Sequence, residues 1–206
     1  MYKLYGWKST GSLASEAALK EVGEEYEIIP INIREGDQHS DEYGLINPTR
    51  QVPSLELPDG SIMTEGAAIL LHIADSHPDS KLAPLPGTSE RAQHDRWLLF
   101  FAVNVYEGEL RKIVPQDYVD SESCVEAVKT AAYRYVERQY QIFEGFLKDG
   151  PYTFGDSFTV LDIYVWMLAQ WVPPEWLEEE CPKINRLVET TKLRPKIAPV
   201  QKWHFG

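Results

Sequence analysis

Asn47-Pro48-Thr49-Arg50-Gln51-Val52-Pro53-Ser54-Leu55-Glu56-Leu57-Pro58-Asp59-Gly60-Ser61-Ile62-Met63-Thr64-Glu65-Gly66 is the stretch from which the fold is read. Pro58-Asp59-Gly60 is turn chemistry between two apolar runs, so the segment reads as loop, strand, tight turn, strand and helix start. A proline that opens a strand, as in Val52-Pro53, either sits at an edge or takes the cis isomer, which costs an X-Pro bond only ~0.5–1 kcal/mol. In the cis case the chain turns sharply and leaves the Val52 N–H and C=O without ladder partners. Such groups can hold a peptide-like ligand as an extra strand. Thr64-Glu65-Gly66 leads into Ala67-Ala68-Ile69-Leu70-Leu71-His72-Ile73, with helical spacing and Thr64 as the expected N-cap. The free N–H groups of that first turn attract anions beside a carboxylate that attracts cations. One helix end can thus take an ammonium and a carboxylate together, as in an α-amino acid. The same residues also suit an ordinary capped helix.

Upstream, Tyr2 to Tyr5 reads as a strand, and Gly6-Trp7-Lys8-Ser9-Thr10-Gly11-Ser12 as a small-residue loop. A helix follows with apolar positions at Leu13, Ala14, Ala17, Ala18 and Val22, ending at Gly23. Tyr26 to Ile33 is rich in β-branched residues and reads as a second strand, and Arg34 to Tyr43 as a polar loop. The opening is therefore strand, helix, strand, the unit that builds parallel sheets, followed by an antiparallel pair and a helix. Residues 1–78 form the first expected domain. Three prolines and a glycine between residues 78 and 87 mark a linker at 79–87.

Residues 88–206 are helical in pattern. Long amphipathic runs cover Ser89 to Lys112 and Ser121 to Leu147. Thr159-Val160-Leu161-Asp162 matches a capping pattern, with Asp in place of the usual Glu or Gln. The helix it starts, Val160 to Trp171, is apolar on nearly every face and is expected at the buried centre of a bundle. Shorter helices are expected over Cys181 to Thr190 and Pro195 to Trp203.

With 206 residues, 43 % of them hydrophobic, and six Trp, the chain can bury a substantial core. A formal charge of −12 repels polyanions, which argues against nucleic acid as a partner. No apolar run approaches the ~18 residues of a membrane span, and the N-terminus begins directly with a strand pattern, so a cytoplasmic protein with no membrane partner is expected. Cys124 and Cys181 lie far apart and suggest neither a metal site nor a redox pair.

Asn47-Pro48 followed by Gln51-Val52-Pro53, the Thr64-Glu65-Gly66 helix start, the linker position, and the Thr159-to-Asp162 cap after Gly155-Asp156 together make the whole chain resemble a cytosolic glutathione transferase, with phi-like and beta-like features. The resemblance implies a thioredoxin-like α/β domain (βαβ-ββα), an all-α helical bundle domain, a homodimer, and glutathione as co-substrate. It also implies that the cysteinyl backbone pairs with Val52 beside a cis Pro53. Glu65 would take the γ-glutamyl ammonium and the N–H of Gly66 its carboxylate. The family's usual Ser at that place is Gly66 here, so one hydroxyl contact is missing. In the register of the phi-class loop, Gln38 and His39 fall where the glycyl carboxylate is held, and Gln51 is a further backbone contact. His39 is equally readable as a solvated loop histidine.

The implied chemistry needs a hydroxyl at the start of the first helix, where a hydrogen bond and the helix's positive end favour thiolate over thiol. Counted from Gly6, Thr10 matches the Ser of phi-like enzymes. Counted from Gly23, the beta-class Cys position falls on Gly11 and its following Ser on Ser12. Ser9, Thr10 and Ser12 are therefore all candidates, with Tyr5 further back as in Tyr-dependent classes, and at least two of the loop hydroxyls must be plain caps. No Cys occurs between residues 1 and 30, which argues against a mixed-disulfide mechanism. The resemblance also implies a pocket for a small hydrophobic electrophile between the first-helix loop and the long helices, with Tyr106 in the register of a beta-class acceptor-site residue and Asn104 and Trp166 beside it by helical spacing. The same stripe also reads as core packing. The expected reaction is hydroxyl-assisted conjugation. A non-catalytic glutathione-binding protein, or a glutathione-dependent peroxidase, isomerase or dehalogenase, are the alternatives.

Overall fold

The computed structural model describes all 206 residues, which divide into two compact units: Met1–Leu85 with Thr190–Gly206, and Pro86–Glu189. The first break between the units falls after Leu85, inside residues 79–87. Residues 190–206, expected in the helical domain, instead belong with the N-terminal unit, because Arg194 makes a two-point ion pair with Glu21 (2.8 and 3.0 Å). Lys196 adds a bond to the Glu21 carbonyl.

In the first unit, β1 (Tyr2–Gly6) leads through α1 (Ser12–Val22) into β2 (Tyr26–Pro30), a parallel pair in which Leu4 lies opposite Ile28. A helical crossover is what parallel neighbours require. α1 stops at Gly23, whose φ of 84° lets its N–H reach back to Leu19 and Lys20. The strand is shorter than the expected Tyr26 to Ile33, and the loop after it is more ordered than expected. It contains a 3-10 turn, Asp37–His39, and a helix, α2 (Asp41–Ile46), capped by the Ser40 hydroxyl accepting from the Tyr43 N–H. β3 (Ser54–Glu56) and β4 (Ile62–Met63) complete a sheet in the order β2-β1-β3-β4, with the last two pairings antiparallel. α3 (Gly66–Ser76) packs along α1, burying Ile69, Leu70 and Ile73 with Leu13, Ala17 and Leu19.

In the second unit, Ser89 to Lys112 is not one α-helix. It is α4 (Ser89–Phe100), a π-helical segment over Phe101–Tyr106, and α5 (Glu107–Ile113). Asn104 accounts for the break: its side-chain amide donates to the Phe100 carbonyl (3.1 Å), the acceptor its own N–H would use in an α-helix. α6 (Val125–Phe146) runs beside α5 with Gly108 at the crossing, where an added Cβ would stand 2.5 Å from Val136 Cγ2. α7 (Val160–Ala169) has every residue buried, as expected, and its capping box is present. Asp162 accepts from the Thr159 N–H and hydroxyl (2.7 and 2.9 Å) and from the Thr153 N–H (2.7 Å). Edge-on rings of Trp97, Phe101 and Phe143 fill the core beneath it. α8 (Pro174–Glu180), which begins on the second of two prolines, was not anticipated; α9 (Pro182–Lys192) and α10 (Ala198–Phe205) were.

Candidate functional site

The β1–α1 loop is folded by its own side chains. Thr10 and Ser12 hydroxyls both donate to the Trp7 carbonyl (2.8 and 3.1 Å) and lie 3.0 Å apart, and the Ser12 N–H reaches Thr10 Oγ1 at 3.3 Å. Both side chains are buried. Gly11, at the N-cap position, has no side chain to offer, so Thr10 supplies the capping oxygen from one residue earlier. Gly6 is needed for the approach: a Cβ there would stand 2.3 Å from Ser12 Cβ. Ser9 has a φ of 59°, rare outside glycine. Its N–H donates to Nδ1 of His204 (3.0 Å) and its hydroxyl to the His204 carbonyl (3.1 Å). Tyr5 is elsewhere. Its side chain shares a strand face with Lys3, and its hydroxyl donates to Glu56 (3.0 Å), which Lys3 also pairs (2.8 Å). Burial, then this carboxylate, pushes the Tyr5 phenol up.

The second part of the site is the peptide before β3. Val52-Pro53 is cis, and because β3 begins at Ser54, Val52 stands outside the ladder. The Gln51 carbonyl beside it accepts from the Tyr43 hydroxyl (2.6 Å) and the Asn47 amide (2.8 Å). Burial raises the Tyr43 phenol, so it remains a donor at neutral pH. Asn47 Oδ1 also takes the N–H and hydroxyl of Thr49 (3.0 and 2.8 Å), which is why Asn47 is buried in a loop. Arg50, itself at φ 56°, donates to the carbonyls of His39 and Ser40, with Gly44 leaving room for its guanidinium. This ties the turn carrying Gln38 and His39 to the residue before Gln51. The side chains of Gln38 and His39 touch each other at 3.2 Å, and His39 and Gln51 are exposed.

The third part is the start of α3. The N-cap is Glu65 rather than Thr64, because Glu65 adopts φ 66° and ψ 103° and the helix begins only at Gly66. The Glu65 side chain is exposed and makes no capping bond. A non-glycine residue held at positive φ costs on the order of 1 kcal/mol, and such outliers gather at functional sites.

The acceptor-site candidates sit in the other unit and do not behave alike. Asn104 is in the π-helical segment and accepts from the Tyr135 hydroxyl at 2.6 Å. Tyr106 ends that segment, stacked on Tyr164 and edge-on to Trp171. Trp166 is at 0 % exposure, on a helix in which every residue is buried. As placed, it is a core residue with no surface to offer a ligand.

Two features went unmarked by sequence pattern. One is His204, near the end of α10. The other is a cavity of about 320 Å³ lined by Gly6, Trp7, Lys8, Ser12, Trp203 and His204 among others, which none of Val52, Pro53 or Glu65 borders. Neither could be read from spacing, since both require the last residues to return to the loop at residues 7–12. No group of three or more His, Cys, Asp or Glu side chains is arranged to hold a metal.

A helix start with buried hydroxyls, an unpaired peptide before a cis proline, and a second helix start bearing a free carboxylate all lie in the first unit, and each offers groups that a small peptide can use. Residues 1–75 match the family description Glutathione S-transferase, N-terminal domain, and residues 111–202 match Glutathione S-transferase, C-terminal domain. Glutathione S-transferase GstA of Escherichia coli O157:H7 is 30 % identical over 173 residues, covering 82 % of this chain and 81 % of its own. The uncharacterized GST-like protein YncG of Escherichia coli K12 is 31 % identical over 204 residues, 98 % of each chain. A sphingomonad glutathione S-transferase solved as a complex with glutathione superposes with a TM-score of 0.82 at 26 % identity, over 98 % of both chains. The chain belongs to the glutathione S-transferase family.

Proposed function

We propose that the protein binds glutathione along Val52, Glu65 and Gly66, holds its thiol at the start of α1 as thiolate, and directs that thiolate at a hydrophobic electrophile. The observation that carries the reading is the Val52 peptide, outside the β3 ladder and next to a cis proline, in the same unit as the free Glu65 carboxylate. The Val52 N–H and C=O suit the cysteinyl residue of a tripeptide in strand fashion, and Glu65 with the Gly66 N–H suits its amino-acid end. Gln38, His39 and Gln51 border the glycyl end.

The chemistry is substitution or addition. The thiol proton leaves to solvent, and the sulfur lone pair forms a bond to the electrophilic carbon. A leaving group departs with the displaced electron pair, or an activated double bond takes up that pair and a proton. The site contributes proximity and thiolate stabilisation. Thr10 is the assigned hydroxyl. It is buried at the start of α1, and its hydrogen needs only a rotation about χ1 or the C–O bond to pass from the Trp7 carbonyl to a sulfur. Ser9 is committed to His204, and Ser12 faces the cavity described above.

The same reading includes a homodimer. Leu99 and Val103, one turn apart, are 55 % and 65 % exposed, an apolar pair suited to a second copy. Glu65→Ala is the direct test of the ligand assignment. It removes the ammonium partner and is expected to weaken glutathione binding about tenfold or more, by titration calorimetry, as loss of a charge-assisted bond does. Unchanged affinity would remove Glu65 from the site.

A further inference from the structure

We infer that His204, from the C-terminal helix, is a positioning residue of the thiol site: it holds Ser9 in its left-handed conformation and so sets the shape of the loop that carries Thr10. This rests on the glutathione reading above for the role of the loop, but not for the contact itself.

The geometry defines the imidazole. The Ser9 N–H can only donate, so Nδ1, 3.0 Å away, carries the lone pair. Nε2 is then the protonated nitrogen, and it donates to Glu16 Oε2 at 2.9 Å. Glu16 in turn accepts from the Tyr26 hydroxyl at 3.0 Å through Oε1. Burial first, then Glu16, pushes the Tyr26 phenol well above its ordinary value, so it stays a donor. A relay of Tyr26, Glu16 and His204 thus ends on the amide of Ser9. The His204 carbonyl holds the same residue a second time, through the Ser9 hydroxyl.

Two-point fixation is what a serine at φ 59° needs. The left-handed conformation costs a non-glycine residue ~1–2 kcal/mol, and it persists where neighbours over-determine it. Thr10 follows directly, so the direction of its side chain depends on the backbone set at Ser9. His204 and Glu16 are each 6 % exposed. The helix is itself anchored, by Arg194 on Glu21 and by Lys8 lying 3.9 Å over the Trp203 ring. Nothing else bonded to Ser9 replaces these contacts.

The test compares the full chain with His204→Leu, which removes both nitrogens, and with His204→Asn, whose Oδ1 stands where Nδ1 does and keeps the acceptor for the Ser9 N–H. Amide hydrogen exchange on the protein without glutathione reads the loop. His204→Leu is expected to speed exchange across Ser9 to Ser12 at least tenfold, and His204→Asn to leave it near wild type. The pH titration of bound glutathione's thiolate absorbance reads the consequence. The thiol pKa is expected to rise by about one unit in His204→Leu and to be restored in His204→Asn, a change that loss of global stability alone would not produce. If His204→Leu does not fold, His204→Gln is read in its place; it keeps a donor for Glu16 but sets no acceptor at the Nδ1 position. Wild-type exchange rates in His204→Leu would overturn the inference. Should the wild-type protein itself bind glutathione with an unshifted thiol, the functional reading fails while the exchange result still decides whether His204 fixes the loop.

Discussion

Of the four non-glycine residues with positive φ, Lys81 follows α3 and the other three, Ser9, Arg50 and Glu65, lie one in each part of the candidate site. Each is held there by something specific or left with a side chain free to act. Ser9 is clamped by His204, Arg50 by the carbonyls of the Gln38–His39 turn, and Glu65 begins α3 with its carboxylate uncommitted. The two cysteines show the opposite case, residues that chemistry leaves out. Cys181 is fully buried, and burial first, then Glu144 and Glu180, pushes its thiol up to about 12, so at pH 8 almost none is thiolate. Cys124 is exposed. A disulfide reagent at pH 8 is therefore expected to modify Cys124 quickly in the native protein and Cys181 only after denaturation; equal rates for both would contradict the burial of Cys181. At this scale residue type and spacing foretold the unpaired Val52 peptide before Pro53, which the fold shows directly. They misplaced Tyr5 and Trp166, expected at the thiol and the acceptor pocket, because their surroundings depend on which face of an element they occupy. Tyr5 shares its strand face with Lys3, and Trp166 lies on a helix with no exposed face at all.

Among the elements, caps and periodicity were legible and interruptions were not. The Thr159-to-Asp162 box, the Gly23 stop and the buried α7 followed from local pattern, since each is decided within four residues. The π-helical segment did not, because apolar spacing over Phe101–Tyr106 suits a continuous helix and only the Asn104 bond to Phe100 diverts it. Helix α2 was hidden for a similar reason: its six residues are too few for a period, and the Ser40 cap was its single signal. Asp162→Ala is expected to cost about 2–5 kcal/mol, since it strands the N–H groups of Thr153 and Thr159 in a buried position. Urea unfolding measures this, and an unchanged midpoint would show that the box carries no stability. Gly108→Val forces a branched side chain into the α5–α6 contact and is expected to destabilise by about 1–3 kcal/mol. The same unfolding experiment would reject that close packing if the variant were as stable as wild type.

For the whole molecule, the largest departure from expectation is the path of the last residues. Arg194, Lys196 and His204 hold to the first unit through Glu21 and Glu16, partners about 170–190 positions away in sequence, a distance over which no local pattern carries information. No helix is long and apolar enough to cross a membrane. For the proposed dimer, wild type is expected to sediment at twice the chain mass and Leu99→Glu with Val103→Glu at the chain mass, since the exposed apolar pair would then carry like charges. A monomeric wild-type protein would contradict the proposed dimer and leave the site of the first unit unaffected. Whether this unit binds glutathione and activates its thiol is read by the ultraviolet difference titration of bound glutathione against pH. A thiol pKa lowered from about 8.5 to about 7 or below is expected, moving back toward the free value in Thr10→Ala. Glutathione bound with an unshifted pKa in the wild-type protein would contradict it and make the chain a glutathione-binding protein that does not activate its ligand.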